Sequence, residues 1–324
     1  MDIYPLRFKP VYKDYIWGGE RIIRTFHRPE PPGIYAESWE VSTRPEGMSV
    51  VANGPHAGRT LQELVDQLGA ALLGSRVPGP AFPLLIKLID AHERLSVQVH
   101  PSDESAARHG GEAKTEMWYV LDADPDARVY AGLQPGVTRK DFEAALRQTR
   151  VEAMLQTVPV QAGDAIFMPG GRVHALDAGS LILEVQQNSN TTYRLYDWGR
   201  VGHDGRPRET HIAQALRVIS WTGTGDPKLT PRPLAAPPPN QRCEVANCPY
   251  FRMERILLRE AVELQGDGGS FQIFFAARGA WRISWDGQAE RVAPGVSVFV
   301  PAALPRLALA PLDRESELLR ITVP

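Results

Sequence analysis

At 324 residues the chain exceeds what a single hydrophobic core usually supports, so two folded units are expected. With 36 basic and 38 acidic residues and a formal net charge of −2, it has no global field to attract nucleic acid or an anionic membrane, which leaves a small molecule as the expected partner. Two cysteines, Cys243 and Cys248, are too few to staple such a fold, the opening residues lack a signal-peptide core, and no run is long enough to span a bilayer, so a soluble cytoplasmic protein is expected.

In chain order, residues 1 to 57 are rich in aromatics, Gly and Pro, with short strand-like pieces such as Ser38-Trp-Glu-Val-Ser42 and no sign of a long helix. Thr60-Leu-Gln-Glu63 forms a capping box, and Leu61, Leu64, Val65, Leu68 and Leu72 follow at helical spacing up to Gly74. Phe82 to Ile89 is an apolar run suited to a buried strand, with Lys87 out of place in it. In Leu95-Ser-Val-Gln-Val-His-Pro101 apolar and polar residues alternate, so Gln98 and His100 share a strand face. A polar loop from Ser102 to Gly111 leads to the strand Thr115 to Leu121, where Lys114, Glu116 and Trp118 have one parity. Residues 138 to 157 carry two short helical patterns, the second opened by the box Thr149-Arg-Val-Glu152.

Beyond Gly163 a short strand ends at Pro169, and Gly170-Gly171 turns the chain into Val173-His174. Residues 181 to 186 and 191 to 197 give two further strands, whose charged members include Glu184 and Arg194, and a helix is expected from Thr210. Six prolines between Pro227 and Pro239 suit an extended connector. The expected domains are therefore 1–221, joined by a Pro-rich connector at 222–240 to a second β domain at 241–324. Gly163-Asp-Ala-Ile-Phe-Met-Pro169 and Gly295-Val-Ser-Val-Phe-Val-Pro301 share one pattern, so a duplicated β unit is expected, its second copy lacking the histidine and hence metal ligands. His92, His109 and His203 read as ordinary loop or surface histidines.

Gln98, His100, Glu116 and His174 offer two imidazoles, a carboxylate and an amide oxygen, a donor set suited to Zn²⁺ with Mn²⁺, Co²⁺ or Fe²⁺ as substitutes. The Gly-to-Pro strand followed by His174 has the form of the second half-motif of a cupin barrel, and Gln98 to Glu116 has the character of the first. The fold class expected is mainly β: two cupin-like, jelly-roll β units with a few short helices inserted.

Leu95 to Pro101, Lys114-Thr-Glu-Met-Trp118 and Thr192-Tyr-Arg-Leu-Tyr-Asp-Trp198 resemble the signature segments of type I mannose-6-phosphate isomerases, with support from Tyr15-Ile-Trp-Gly-Gly19 and Glu37-Ser-Trp39. The short stretch between Glu116 and His174 leaves no room for a large helical insertion, so the chain is similar to the short bacterial form. The resemblance implies zinc on Gln98, His100, Glu116 and His174, with Arg194, Lys114, Lys87 and Glu184 around a hexose phosphate.

Aldose–ketose isomerisation through an enediolate needs a base beside a carbonyl and an electrophile for the developing charge. Glu184 and Lys114 are both candidates for the base, Arg194 for stabilising the enediolate or clamping the phosphate, and Lys87 for a functional charge or a buried ion pair with Glu184. Ser96 and Trp17 are candidate substrate contacts, against the plainer readings of a solvated serine and a packing tryptophan. Glu184 and Arg194 have a plainer reading too, as a cross-strand ion pair. Rival functions on the same residues are an Fe²⁺ cupin oxygenase and a non-catalytic sugar-phosphate-binding cupin; either a monomer or a homodimer is compatible.

Overall fold

Strands dominate the chain, some formed where apolar and polar residues alternate and others, such as Leu84–Ala91, where a short run is buried throughout. A computed structural model describes residues 2–202, 204–223 and 225–324; His203, expected at the surface, lies outside the described residues. By contacts the chain divides into two units, residues 12–38 with 87–229 and residues 1–11 with 39–86 and 230–324. Both are built from stretches that are not contiguous, whereas the reading of the sequence divides the chain serially at 221 and 240.

The unit containing residues 87–229 is built on two antiparallel sheets. One runs Ala165–Met168, Glu116–Ala123, Ser180–Gln187, Leu84–Ala91, Glu37–Val41, Val11–Lys13. The other runs Tyr193–Tyr196, Val97–Val99, His174–Leu176, Arg128–Leu133, Leu155–Pro159. One apolar cluster, including Ile89, Trp118, Val129, Ile166 and Ile182, joins residues of both sheets. A second puts Val97, Val99, Ala175 and Leu195 against Phe142, Ala215 and Val218 of the helices Arg139–Arg147 and Ile212–Val218. Because strand side chains alternate, burying Val97 and Val99 under those helices sends Gln98 to the opposite face.

The other unit repeats this wiring. Its sheets run Ser297–Val300, Gln272–Arg278, Ser316–Thr322, Arg252–Leu258, Gln241–Asn247, Arg232–Leu234, and Val262–Gln265, Arg306–Pro311, Trp281–Trp285, Gln288–Val292. The matched Gly-to-Pro segments supply the same edge strand in each. In the second copy, Gln272 begins the strand matching that of Glu116, and Arg306 the one matching that of His174.

Four local expectations change. The loop after Ser102 holds a helix, Asp103–His109, capped by Ser102 and Ser105; it buries none of its residues, so no apolar period announced it. Thr149 caps nothing: it takes a left-handed φ of 56°, a single 3₁₀ turn follows at Val151–Met154, and the working box is Thr138 with Asp141. The helix after Thr60 breaks at Gly69, where φ is 51°, into Leu61–Leu68 and Ala70–Leu73. The helix near the N-terminus, Arg21–Phe26, is short, in keeping with the absence of a long helical pattern there. The proline-rich connector contains a strand, Arg232–Leu234, which pairs with Gln241–Asn247 at a sheet edge, where proline's missing N–H is tolerated. Among the described residues no helix is long and apolar enough to cross a membrane.

Candidate metal centre and sugar-phosphate cavity

Register places the site. Gln98 is paired with His174 on one side and with Arg194 on the other, so three neighbouring strands set Arg194, Gln98 and His174 in a row on one face. On the other sheet Glu116 is paired with Gln186, and Trp118 with Glu184. His100 follows immediately after its strand. The Gly170-Gly171 turn clips that end to the start of the His174 strand: Gly171 N–H donates to His100 O at 2.8 Å. A Cβ on Gly170 would stand 2.5 Å from Pro101 O, so only glycine allows this approach.

His100, Glu116 and His174 are the one group of His, Cys, Asp or Glu among the described residues close enough to hold a metal, their ligand atoms lying within 4.8 Å of one another. All three are buried. Each imidazole donates Nδ1–H to a backbone carbonyl, His100 to Thr191 O at 2.8 Å and His174 to Arg172 O at 2.9 Å. A carbonyl can only accept, so the tautomer is set and both Nε2 lone pairs face inward. Burial is the main reason both rings stay neutral; it pulls His174 down to about 4 and His100 well below the ordinary histidine value. The lone pairs meet Glu116, with His174 Nε2 at 3.4 Å from Oε1 and His100 Nε2 at 3.5 Å from Oε2.

Neither Glu116 oxygen accepts a hydrogen bond of good geometry, although Lys114 Nζ stands 2.6 Å from Oε2. Burial, then the charge of Glu184, pushes the Glu116 carboxyl up to about 7. Two imidazole lone pairs and both carboxylate oxygens thus converge with too few protons between them, a surplus that a divalent cation would relieve. Gln98 borders the cluster, its Nε2 3.3 Å from His174 Nε2 and its Oε1 accepting from Ser96 Oγ at 3.3 Å.

A cavity of about 290 Å³ opens beside this cluster, lined among others by Gln98, Ser96, Trp17, Lys87, Lys114, Glu184 and Arg194. Lys87 Nζ lies 3.3 Å from Glu184 Oε1 and 3.6 Å from Glu37 Oε2. Burial opposes its charge, but Glu37 and Glu184 prevail and hold its pKa above the usual lysine value. Lys114 Nζ is 3.3 Å from His100 Nε2 and 3.9 Å from Glu184 Oε1. Trp118 Nε1–H donates to Glu184 Oε2 at 3.0 Å. Burial would raise the Glu184 carboxyl, yet Lys114 and Lys87 bring it down to about 2.

All ten residues singled out in the sequence therefore fall at this cavity or in the cluster beside it. Two of the plainer readings do not hold. Glu184 has Lys87 and Lys114 as ion-pair partners, not Arg194, because the two residues belong to different sheets. Ser96 is buried against Gln98 rather than solvated. The packing reading of Trp17 does hold: it belongs to the apolar cluster between the sheets and packs on Tyr15 at a ring separation of 5.6 Å while lining the cavity. Glu37 and Arg208 were missed as site residues. Glu37 sits in a quoted motif, but its approach to Lys87 is a cross-strand distance; Arg208 lies in a loop with no periodic signal.

Fold and site together define a duplicated, cupin-like β protein with a histidine–carboxylate cluster able to hold a metal beside a polar cavity. The model of the type I phosphomannose isomerase catalytic domain matches residues 6–132. Over about two thirds of each chain the sequence is 41% identical to the mannose-6-phosphate isomerase ManA of Bacillus subtilis and 39% identical to that organism's probable mannose-6-phosphate isomerase GmuF. A crystal structure of the mannose 6-phosphate isomerase from Bacillus subtilis superposes with a TM-score of 0.90 at 30% identity, covering 98% of this chain and 99% of that one. The chain belongs to the type I phosphomannose isomerase family.

Proposed function

We propose that this protein interconverts mannose 6-phosphate and fructose 6-phosphate by proton transfer between C1 and C2 through an enediolate. One observation carries the reading: a buried, proton-poor cluster of His100, Glu116 and His174 adjoins a cavity whose wall is the linked set Lys87, Glu184 and Lys114, with Arg194 in register beside Gln98. The metal would be held by His100, Glu116 and His174 with Gln98, whose amide, turned over, offers Oε1 to the cluster and Nε2–H to Ser96 Oγ. Zinc suits this donor set, Mn²⁺, Co²⁺ or Fe²⁺ being substitutes, and when bound it supplies a Lewis acid for the oxygens at C1 and C2.

Lys114 is the better candidate for moving the proton. Glu184, clamped by two ammonium groups and an indole N–H, is a weak base. Lys114 Nζ stands between the two carboxylates, 2.6 Å from Glu116 Oε2 and 3.9 Å from Glu184 Oε1, at the edge of the cavity where it can reach a sugar proton. Arg194, always charged, faces the cavity from the opposite sheet, placed to stabilise the enediolate or to clamp the phosphate. Trp17 and Ser96 shape the sugar's enclosure, Ser96 by fixing the Gln98 amide. Every group belongs to one chain, so a monomer or a homodimer serves equally. The proposal includes a cytoplasmic setting, supported by Cys243 and Cys248 being free thiols.

The test is turnover of mannose 6-phosphate by zinc-loaded protein, with exchange of the C2 proton into deuterated solvent. Wild type should show both, a chelator should abolish turnover, and Lys114→Ala should lose exchange by on the order of 10²-fold or more while still binding the sugar. Absence of turnover and exchange in metal-loaded wild type would overturn the reading. Oxygen-independent turnover separates it from an Fe²⁺ oxygenase.

A further inference from the structure

Besides Arg194, the cavity wall includes a second guanidinium, that of Arg208, from the loop beyond the strand Tyr193–Tyr196. Arg208 is braced from behind: Nε donates to Asp197 Oδ2 at 2.7 Å and Nη2 to Asp197 Oδ1 at 2.5 Å. Asp197 is also shared with Arg200, whose Nη2 donates to Oδ1 at 2.7 Å. A two-point grip through Nε and Nη2 fixes the plane of the fork and leaves its Nη1 end for another acceptor. Arg194 is anchored in part, with Nη1 donating to Glu209 O at 2.6 Å, and its Nε is buried with no acceptor.

This end of the cavity is rich in guanidinium. The buried carboxylate of Asp197 is held by Arg208 and Arg200, Arg200 also pairs with Glu93 at 3.7 Å, and the exposed Glu209 accepts from Arg194 through its backbone carbonyl. Burial and then the charge of Arg208 make the Arg194 cation costly, and Asp197 and Glu209 offset this only in part. A dianion with several acceptor oxygens relieves that repulsion and satisfies the unused N–H groups. A neutral sugar hydroxyl does only the second.

We propose that Arg208, positioned by Asp197, is the residue that makes this cavity specific for a phosphorylated sugar, gripping the phosphate together with Arg194. The inference rests on the isomerase reading for the identity of the sugar, but not for the anion. Asp197 acts through Arg208 and is a positioning residue.

The experiment uses the full, zinc-loaded chain and compares mannose 6-phosphate with unphosphorylated mannose, alongside calorimetric titration of inorganic phosphate. For Arg208→Ala, the ratio of kcat/KM for the phosphorylated over the neutral sugar should fall by about 10- to 100-fold, mostly through KM, since a charge-assisted hydrogen bond is worth that much. Inorganic phosphate should bind at least about tenfold more weakly. Arg208→Lys should recover part of the ratio by keeping the charge without the fork, and Asp197→Asn should shift it in the same direction as Arg208→Ala but less. Equal losses on both sugars with unchanged phosphate affinity, in a variant whose melting temperature is that of wild type, would make Arg208 a loop brace and sink the proposal. Should Arg208→Ala not fold, the Lys and Asn variants decide the same ratio. If wild type isomerises neither sugar, the functional reading fails while the phosphate titration still decides the role of Arg208.

Discussion

Glu116 has an environment that only a ligand role explains well. A fully buried carboxylate ordinarily accepts several hydrogen bonds, yet its two oxygens face the Nε2 lone pairs of His174 and His100 and one off-line ammonium. Glu116→Gln keeps the shape and removes the charge. Removing a group that only hydrogen-bonds to a metal ligand typically costs 10- to 100-fold in affinity, so loss of this carboxylate should weaken zinc binding by at least about 100-fold, as measured by competition with a chromogenic chelator. Wild-type affinity in that variant would remove Glu116 from the centre. The same scale shows what is local in a site. Lys87 stood out in the sequence because a charge in an apolar run needs a partner, and Glu184 is that partner at 3.3 Å. Glu37, the other partner, was beyond reach, since its distance from Lys87 depends on two strands lying side by side rather than on any spacing along the chain.

Among the elements, the Pro169-Gly170-Gly171 turn connects packing to chemistry. It was legible as a turn, but its purpose was not: the turn lets the end of the strand carrying His100 and the start of the strand carrying His174 lie against each other. Gly170→Ala would force its Cβ to within 2.5 Å of Pro101 O and the Ser102 Cα, which are backbone atoms with little room to move. The expected result is a loss of about 1–3 kcal/mol of stability in urea unfolding, as for other overpacking substitutions, together with reduced zinc occupancy because His100 and His174 are pushed apart. A variant with wild-type stability and full metal content would show the turn to be permissive. The helix Asp103–His109 escaped notice nearby because nothing in it is buried; its cap, Ser102 with Ser105, uses a hydroxyl where the usual signature has Glu or Gln.

At the scale of the whole molecule, one jelly-roll wiring occurs twice, and the two copies spend their polar groups differently. In the unit that includes residues 230–324, Glu254 is buried and bound by Arg242 through two contacts, at 2.7 and 2.9 Å, with Arg252 at 3.1 Å and Arg320 at 3.3 Å. Burial alone would raise its pKa; the hydrogen bonds and charge of the three arginines win and lower it. A carboxyl whose folded pKa is depressed contributes stability that is complete above its unfolded value, near 4.3, and is lost as pH falls through the folded value. Glu254→Gln should therefore cost about 2 kcal/mol near pH 7, where it leaves three partly buried arginines without their shared carboxylate, and progressively less below about pH 4. Chemical denaturation across that range checks it, and a gap independent of pH would refute the linkage.

The sequence by itself determined the elements and the cast of the site. Strand alternation, the box at Thr60, the paired Gly-to-Pro segments and the residue types at 98, 100, 116 and 174 are all local patterns, set by side-chain period and donor chemistry. Tertiary structure alone decided how those residues are used. Strand order carried Glu184 to Lys87 and Lys114 instead of Arg194, burial under two helices turned Gln98 toward the cavity, and a loop brought Arg208 to its wall. The physical reason is that pairing across strands and packing between sheets are contacts between residues far apart in the chain, whose cost and gain are settled only when the whole sandwich closes.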